Sequence, residues 1–150
     1  MENILVTIGL SMLPISELRG AIPYGLSKGL PFWNVLFLSI IGNLIPVILL
    51  YFLLERILNF LGKFNSGRRL TTYILNRTRS KSRIVEIYKT IGLLIFVGIP
   101  LPMTGAWTGT IAAVIFQIRF RDYLVGVIGG VLMAGTIVSL VTLGIIKIFA

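Results

Sequence analysis

Residues 13–23 read LPISELRGAIP, and the fold turns on what they do inside an apolar chain. Two prolines (Pro14, Pro23), a glycine (Gly20) and two opposite charges (Glu17, Arg19) interrupt a hydrophobic stretch that runs from Ile4 to Leu30. The arm before the break, Ile4 to Leu13, is ten residues long. At about 1.5 Å per residue it reaches only halfway across a ~30 Å hydrocarbon core. An ionisable side chain at that depth costs about 2.5–3.5 kcal/mol on insertion scales unless it is paired or hydrated. The stretch is therefore either a kinked full span or a hairpin that enters and leaves on one side, with a polar tip at its turn.

A second interrupted stretch lies further along. Ile91 to Ile99 meets PLPMTGAWTG at 100–109, with Pro100, Pro102, Thr104, Gly105 and Gly109 in place of charges. Sliding the chain by 88 residues without a gap lays LPIS (13–16) over LPMT (101–104), Phe32 over Phe120, Asn34 over Asp122 and Gly42 over Gly130. The Pro-x-hydroxyl, the Phe-x-Asn/Asp and the glycine argue for a duplication, since matches among Leu and Ile come easily in apolar sequence. Each interrupted stretch precedes an unbroken one, residues 31–54 and 123–149, long enough to cross a bilayer. One hairpin plus one span reverses the side of the membrane, so the second unit would insert upside down. Inverted repeats of broken helices characterise carriers, with the site at the midplane.

Composition agrees. Of 150 residues 56% are apolar and 13% charged, with a mean hydropathy of +0.97, which excludes a soluble enzyme and marks an integral membrane protein. There is no Cys and no His, so thiolate nucleophiles, His-based triads and the usual zinc or haem sites are excluded. No cofactor, no metal and no enzymatic activity are expected. The run from Ile4 to Leu13 has the length of a signal-peptide core, but Glu2 precedes it and no small-x-small cleavage site follows, so it is read as mature structure.

The net charge of +9 is concentrated in one place: between Glu55 and Lys89 lie nine basic and two acidic residues. A basic loop between apolar runs is a cytoplasmic connection under the positive-inside rule, and no nucleic-acid partner is needed to explain it. Within it, Arg68 to Ile91 mixes Tyr and Ile with Arg and Lys, as one or two interfacial helices would, or a solvated loop with a few buried aromatics. The expected organisation is one membrane domain: unit 1 over 1–58, a basic cytoplasmic connector over 59–89, and unit 2 over 90–150. Hairpins would put the connector, Arg119 and Arg121 inside with Lys28 and Lys147 outside. Four full spans would move Arg119 and Arg121 out and Lys147 in. The hairpin arrangement is preferred on charge placement and on the polar tips together.

Candidate substrate-binding residues gather at the two tips: Ser16, Glu17 and Arg19 in the first, Thr104, Gly105 and Trp107 in the second. Glu17 and Arg19 either neutralise each other or neighbouring backbone, or serve a substrate. Ser16 and Thr104 can cap the helices that follow them. If the two helix starts approach each other, their free N–H groups make an anion site, to which Arg19 adds planar donors. Trp107 either lines a path or anchors at an interface. Pro14, Gly20, Pro23, Pro100, Pro102 and Gly109 shape the breaks, and Arg119 and Asp122 mark the start of the last span, Asp122 as its cap. Gly126, Gly130 and Ala134 form a small-residue stripe that reads as tight helix packing.

At SELRGAIPYG (16–25), PLPMTGAWTG (100–109) and RFRD (119–122) the chain resembles the small multidrug export protein family, over nearly its whole length. That family in turn is similar to the DedA superfamily, whose members have paired inverted re-entrant hairpins. The resemblance implies an all-α integral membrane protein of DedA-like type, an inverted repeat of re-entrant helical hairpin plus transmembrane helix, in a prokaryotic inner or plasma membrane. It implies movement of an anionic lipid such as a polyprenyl phosphate or a phospholipid, often coupled to protons, while the family's own name implies drug export. Glu17 and Arg19 match the first-hairpin charges of the superfamily; the second tip carries none. Three functions are therefore carried forward: an anionic-lipid carrier or flippase, an exporter of cationic drugs through Glu17, and a non-transporting membrane scaffold whose basic loop holds lipid or a partner. Membrane lipids are the expected partners, and two units in one chain allow a monomer while leaving a homodimer open.

Overall fold

The structure, a computed structural model, describes residues 2–61, 83–101 and 104–149. Among them every regular element is helical: α1 Glu2–Met12, α2 Glu17–Ser27, α3 Phe32–Leu61, α4 Arg83–Gly98, α5 Ala106–Ile115 and α6 Phe120–Phe149. The order is short, short, long, then the same again. Most of the basic connector, residues 62–82, lies outside the described residues. Of the rest of it, 59–61 continue α3 and 83–89 open α4.

Both short pairs are antiparallel hairpins. Near the open end of the first, Tyr24 Oη donates to Asn3 Oδ1 at 3.5 Å, and a Cβ at Gly25 would lie 3.2 Å from Thr7 Oγ1. In the second, Lys89 Nζ donates to Phe116 O at 3.0 Å, which ties the end of α5 back to the body of α4. The break is real in each case. Helix α2 nevertheless runs through Pro23, so only Pro14 and the residues around it make the first turn.

The spacing of 88 residues reappears in the backbone. Helices α3 and α6 begin and end 88 apart, and both are 30 residues long. The left-handed residues pair in the same way, Glu17 with Gly105 and Gly29 with Gln117. Helix α2 ends when Gly29 N donates to Leu26 O and Leu30 N to Gly25 O. Helix α5 ends when Gln117 N donates to Val114 O and Ile118 N to Ala113 O. Each is a Schellman end, which needs one residue at positive φ. Gly29 (φ 74°) takes it freely, whereas Gln117 (φ 52°) carries a side chain there at a cost.

The long helices are apolar over most of their surface, with a few polar residues turned inward. On α3 the inner stripe Val35, Ser39, Asn43, Val47 and Tyr51 is buried, while Trp33, Phe37, Ile41, Ile45 and Leu49 are exposed on the outer side. Helices α3 and α6 pass each other in opposite senses. Tyr51, late in α3, stacks on Tyr123, early in α6, with ring centroids 4.4 Å apart. Leu36 and Ile40, early in α3, lie against Gly135 in the body of α6. Each hairpin packs on the long helix of its own unit through a glycine. A Cβ at Gly42 would stand 3.2 Å from Ile8 O of α1, and one at Gly130 would stand 2.9 Å from Leu94 O of α4. The stripe of Gly126 and Gly130 is thus spent on packing against α4, as its spacing suggested.

Replacing Gln117 by Gly is expected to stabilise the protein by about 1 kcal/mol, and replacing Gly29 by Gln to destabilise it by a similar amount. Thermal unfolding of the two variants in one detergent checks the opposite signs.

Candidate functional site

The two tips meet. Glu17 opens α2 with φ 44° and turns its carboxylate to the start of α5, where Oε1 accepts the N–H of Trp107 at 3.2 Å and the N–H of Ala106 also lies against it. Arg19, in the first turn of α2, donates from its guanidinium to the backbone O of Thr104, with Thr104 Oγ1 at 3.5 Å. Among the described residues no direct ion pair joins Glu17 to Arg19. Both charges are spent on the backbone of the second tip, which explains how a tip without charges matches one with two. The first four N–H groups of a helix lack internal partners and carry partial positive charge, so a carboxylate there satisfies donors that the helix itself cannot.

The residues at positions 17 and 105 face each other. Gly105, at φ 155° and ψ −174°, adopts a backbone conformation that only glycine holds readily, and a Cβ on it would run into the Glu17 carboxylate. Gly20 is needed for a similar reason, since a Cβ there would lie 2.7 Å from Ser16 Cβ. Gly109 turns its bare side toward Val97 of α4.

Two capping expectations are corrected. Ser16 occupies the N-cap position of α2 but makes no capping bond, because its hydroxyl donates back to Leu10 O. The N-cap of α5 is Gly105 and not Thr104. Thr104 Oγ1 instead accepts from Leu101 N at 3.2 Å, with Ile99 O at 2.8 Å and Leu101 O at 2.9 Å as its acceptors, so it pins the turn. The capping of α5 comes from Glu17, in the other half of the chain. Asp122 lies within the first turn of α6, past the cap position, and with Arg119 it belongs to the opposite end of the bundle from the open end of the first hairpin. Trp107 is half-buried and packs on the core, with its indole Nε1 enclosed and unpartnered. Pro102 lies outside the described residues; Pro100 stands just beyond α4.

Sequence reasoning missed the polar residues that the long helices bring to the tips. Asn43 of α3 is fully buried and lines a small cavity with Glu17, Arg19, Ala106, Val131 and Ala134. It stands near the middle of the apolar span Phe32–Leu58, which puts the tips at half the depth of the long helices. An amide at mid-span, where the flanking residues are apolar, was the signal. Further along, the hydroxyls of Thr110 and Tyr123 lie 2.9 Å apart, with Ala106 O at 2.6 Å from the first and Val47 O at 3.1 Å from the second. Tyr51 Oη donates to Ile118 O at 2.8 Å. These bonds fix α5 against α3 and α6, and so fix where its N-terminus points.

Gly105→Ala is expected to cost on the order of 1–3 kcal/mol through backbone strain and the clash with Glu17. In a Glu17→Ala background the same change costs less, because the clash is gone. A double-mutant cycle on thermal unfolding measures the difference.

No curated protein and no solved structure gives a significant match to the chain. A family model described as "Putative small multi-drug export protein" matches residues 17–137, from the first charge of the tip to the body of α6. The chain belongs to that family and, with its two long apolar helices, is a membrane protein.

Proposed function

We propose that the chain is a carrier for an anionic lipid head group, such as a polyprenyl phosphate or a phospholipid, of the DedA-like type and without enzymatic activity. One observation carries this reading: a carboxylate, that of Glu17, already sits on the N–H groups that open α5, beside the guanidinium of Arg19. The seat accepts an anion at half the depth of the long helices, and Glu17 is its internal occupant. A phosphate or carboxylate head group would take over the α5 N–H groups and Arg19 while Glu17 withdraws. A proton delivered to Glu17 would ease that withdrawal, because a neutral carboxyl binds the helix start less strongly. The tails would remain in the bilayer, along the exposed apolar faces of the long helices.

The two units are read as inverted with respect to the membrane and the hairpins as re-entrant. In support, α3 and α6 pass each other in opposite senses, and the tips reach only their midpoints. The charges are distributed to match. Lys89 lies at the end of the bundle where α5 closes and α6 starts, the end that also carries Arg119 and Arg121 in the chain around that start, and Arg56 follows Tyr51 at that same end. This is the end read as cytoplasmic, with the basic connector. Lys28 and Lys147 close the far ends of α2 and α6.

The family description favours a second reading, drug export, in which Glu17 would bind a cationic drug. Native mass spectrometry of lipid retained by the purified protein separates the two. Wild type is expected to hold an anionic lipid, and Arg19→Gln to weaken it by roughly tenfold or more, the equivalent of one charge-assisted hydrogen bond. Glu17→Gln removes the competing occupant and is expected to hold more. Loss of cationic-drug binding in Glu17→Gln, with lipid retention unchanged in Arg19→Gln, would favour export. If no variant changes lipid or drug binding, a scaffold remains.

Single cysteines at Ile4, Lys28 and Leu54 test the topology in a chain with no native Cys. Positions 4 and 28 are expected to label from one side and 54 from the other. Labelling of 4 and 28 from opposite sides would restore full spans.

A further inference from the structure

Asn43 is fully buried, and neither its amide oxygen nor its amide nitrogen has a hydrogen-bond partner within the protein. One helical turn earlier on the same face, Ser39 Oγ is buried and unpartnered too. An amide with nothing to bond is costly in any interior and more so at membrane depth, where an apolar side chain of the same size would carry no such penalty. A buried polar group in this position calls for a ligand. The cavity that Asn43 lines is about 10 Å³, on the scale of a single water molecule.

The chemistry of the walls decides what that guest is. Glu17 brings a carboxylate and Arg19 a guanidinium, while Val97, Val131 and Ala134 contribute no polar side-chain groups. A cation in so small a space would face the guanidinium, and an anion the carboxylate. A neutral molecule that both donates and accepts meets neither objection. Water donates to the Glu17 carboxylate and to Asn43 Oδ1, and accepts from Asn43 Nδ2 or from Arg19, which gives it the two to four partners that internal water requires.

We propose that Asn43, Glu17 and Arg19 enclose one resident water molecule, and that Asn43 is a positioning residue for Glu17 acting through it. The water supplies the Glu17 carboxylate with a hydrogen-bond partner other than the α5 N–H groups. This assignment is independent of which substrate, if any, the tips carry.

Infrared spectroscopy of the full chain in lipid nanodiscs, in ordinary water and in water labelled with oxygen-18, tests it. Wild type is expected to show an isotope-sensitive O–H stretch of an internal water, lost in Asn43→Leu and kept in Ser139→Ala, which removes another buried, unpartnered hydroxyl, on α6 and outside the lining of this cavity. The Glu17 carboxyl bands, identified by their loss in Glu17→Gln, are expected to shift in Asn43→Leu and not in Ser139→Ala. The thermal midpoint of Asn43→Leu is expected to fall, because a water-bridged contact is lost; a bare amide replaced by leucine would raise it. Absence of the water band in wild type, its survival in Asn43→Leu, or Glu17 bands that do not move would each overturn the assignment. Should Asn43→Leu fail to fold, Asn43→Val takes its place with the same readings.

Discussion

The carboxylate of Glu17 accepts the N–H of Trp107, 90 residues away, and Arg19 donates to the carbonyl of Thr104 next to it. Most of the architecture follows from that clasp. A helix that starts inside a membrane has donors with no water to satisfy them. A hairpin tip that carries a buried carboxylate and a guanidinium has the opposite difficulty, charges without partners. Each tip resolves what the other cannot. The arrangement requires a glycine at 105, where a side chain would collide with the carboxylate and the backbone is one that few residues adopt. It also requires α5 to be held at a fixed angle, which the hydrogen bonds of Thr110, Tyr123 and Tyr51 provide.

The two halves keep the same backbone and differ in chemistry. Positive-φ residues, Schellman ends and the limits of the long helices all recur at a spacing of 88. At the same spacing Glu17 becomes Gly105, Arg19 becomes Trp107, Asn43 becomes Val131 and Val35 becomes Tyr123. Backbone geometry is set by steric rules that many sequences obey. Polar side chains are constrained by partners, and a partner across the pseudo-symmetric contact relieves its mate of the need to be polar. Only one tip has to be charged.

Several features were legible in the chain before its coordinates. The breaks at Pro14 and Pro100, the 88-residue spacing of the two halves and the two long apolar helices follow from hydropathy and prolines, and the cost of charge in an apolar run singles out Glu17 and Arg19 as candidates. The capping assignments failed. Ser16 and Thr104 have the right residue types at the right offsets, but local hydrogen-bond options compete, and both hydroxyls bond backward into the preceding turn. Asn43 passed unnoticed because a single amide barely lowers the hydropathy of a span, and its burial depends on α2 and α6 closing over it.

The sequence by itself determined that this is a helical membrane protein of two similar units with interrupted helices, because hydrophobic length and helix-breaking residues act locally. Only the tertiary structure decided which charge meets which backbone group, that Glu17 caps a helix of the other half, and that Asn43 joins the tips. Those outcomes depend on contacts between residues 24 to 90 positions apart, whose geometry is fixed by the packing of whole helices and is encoded in no single stretch of chain.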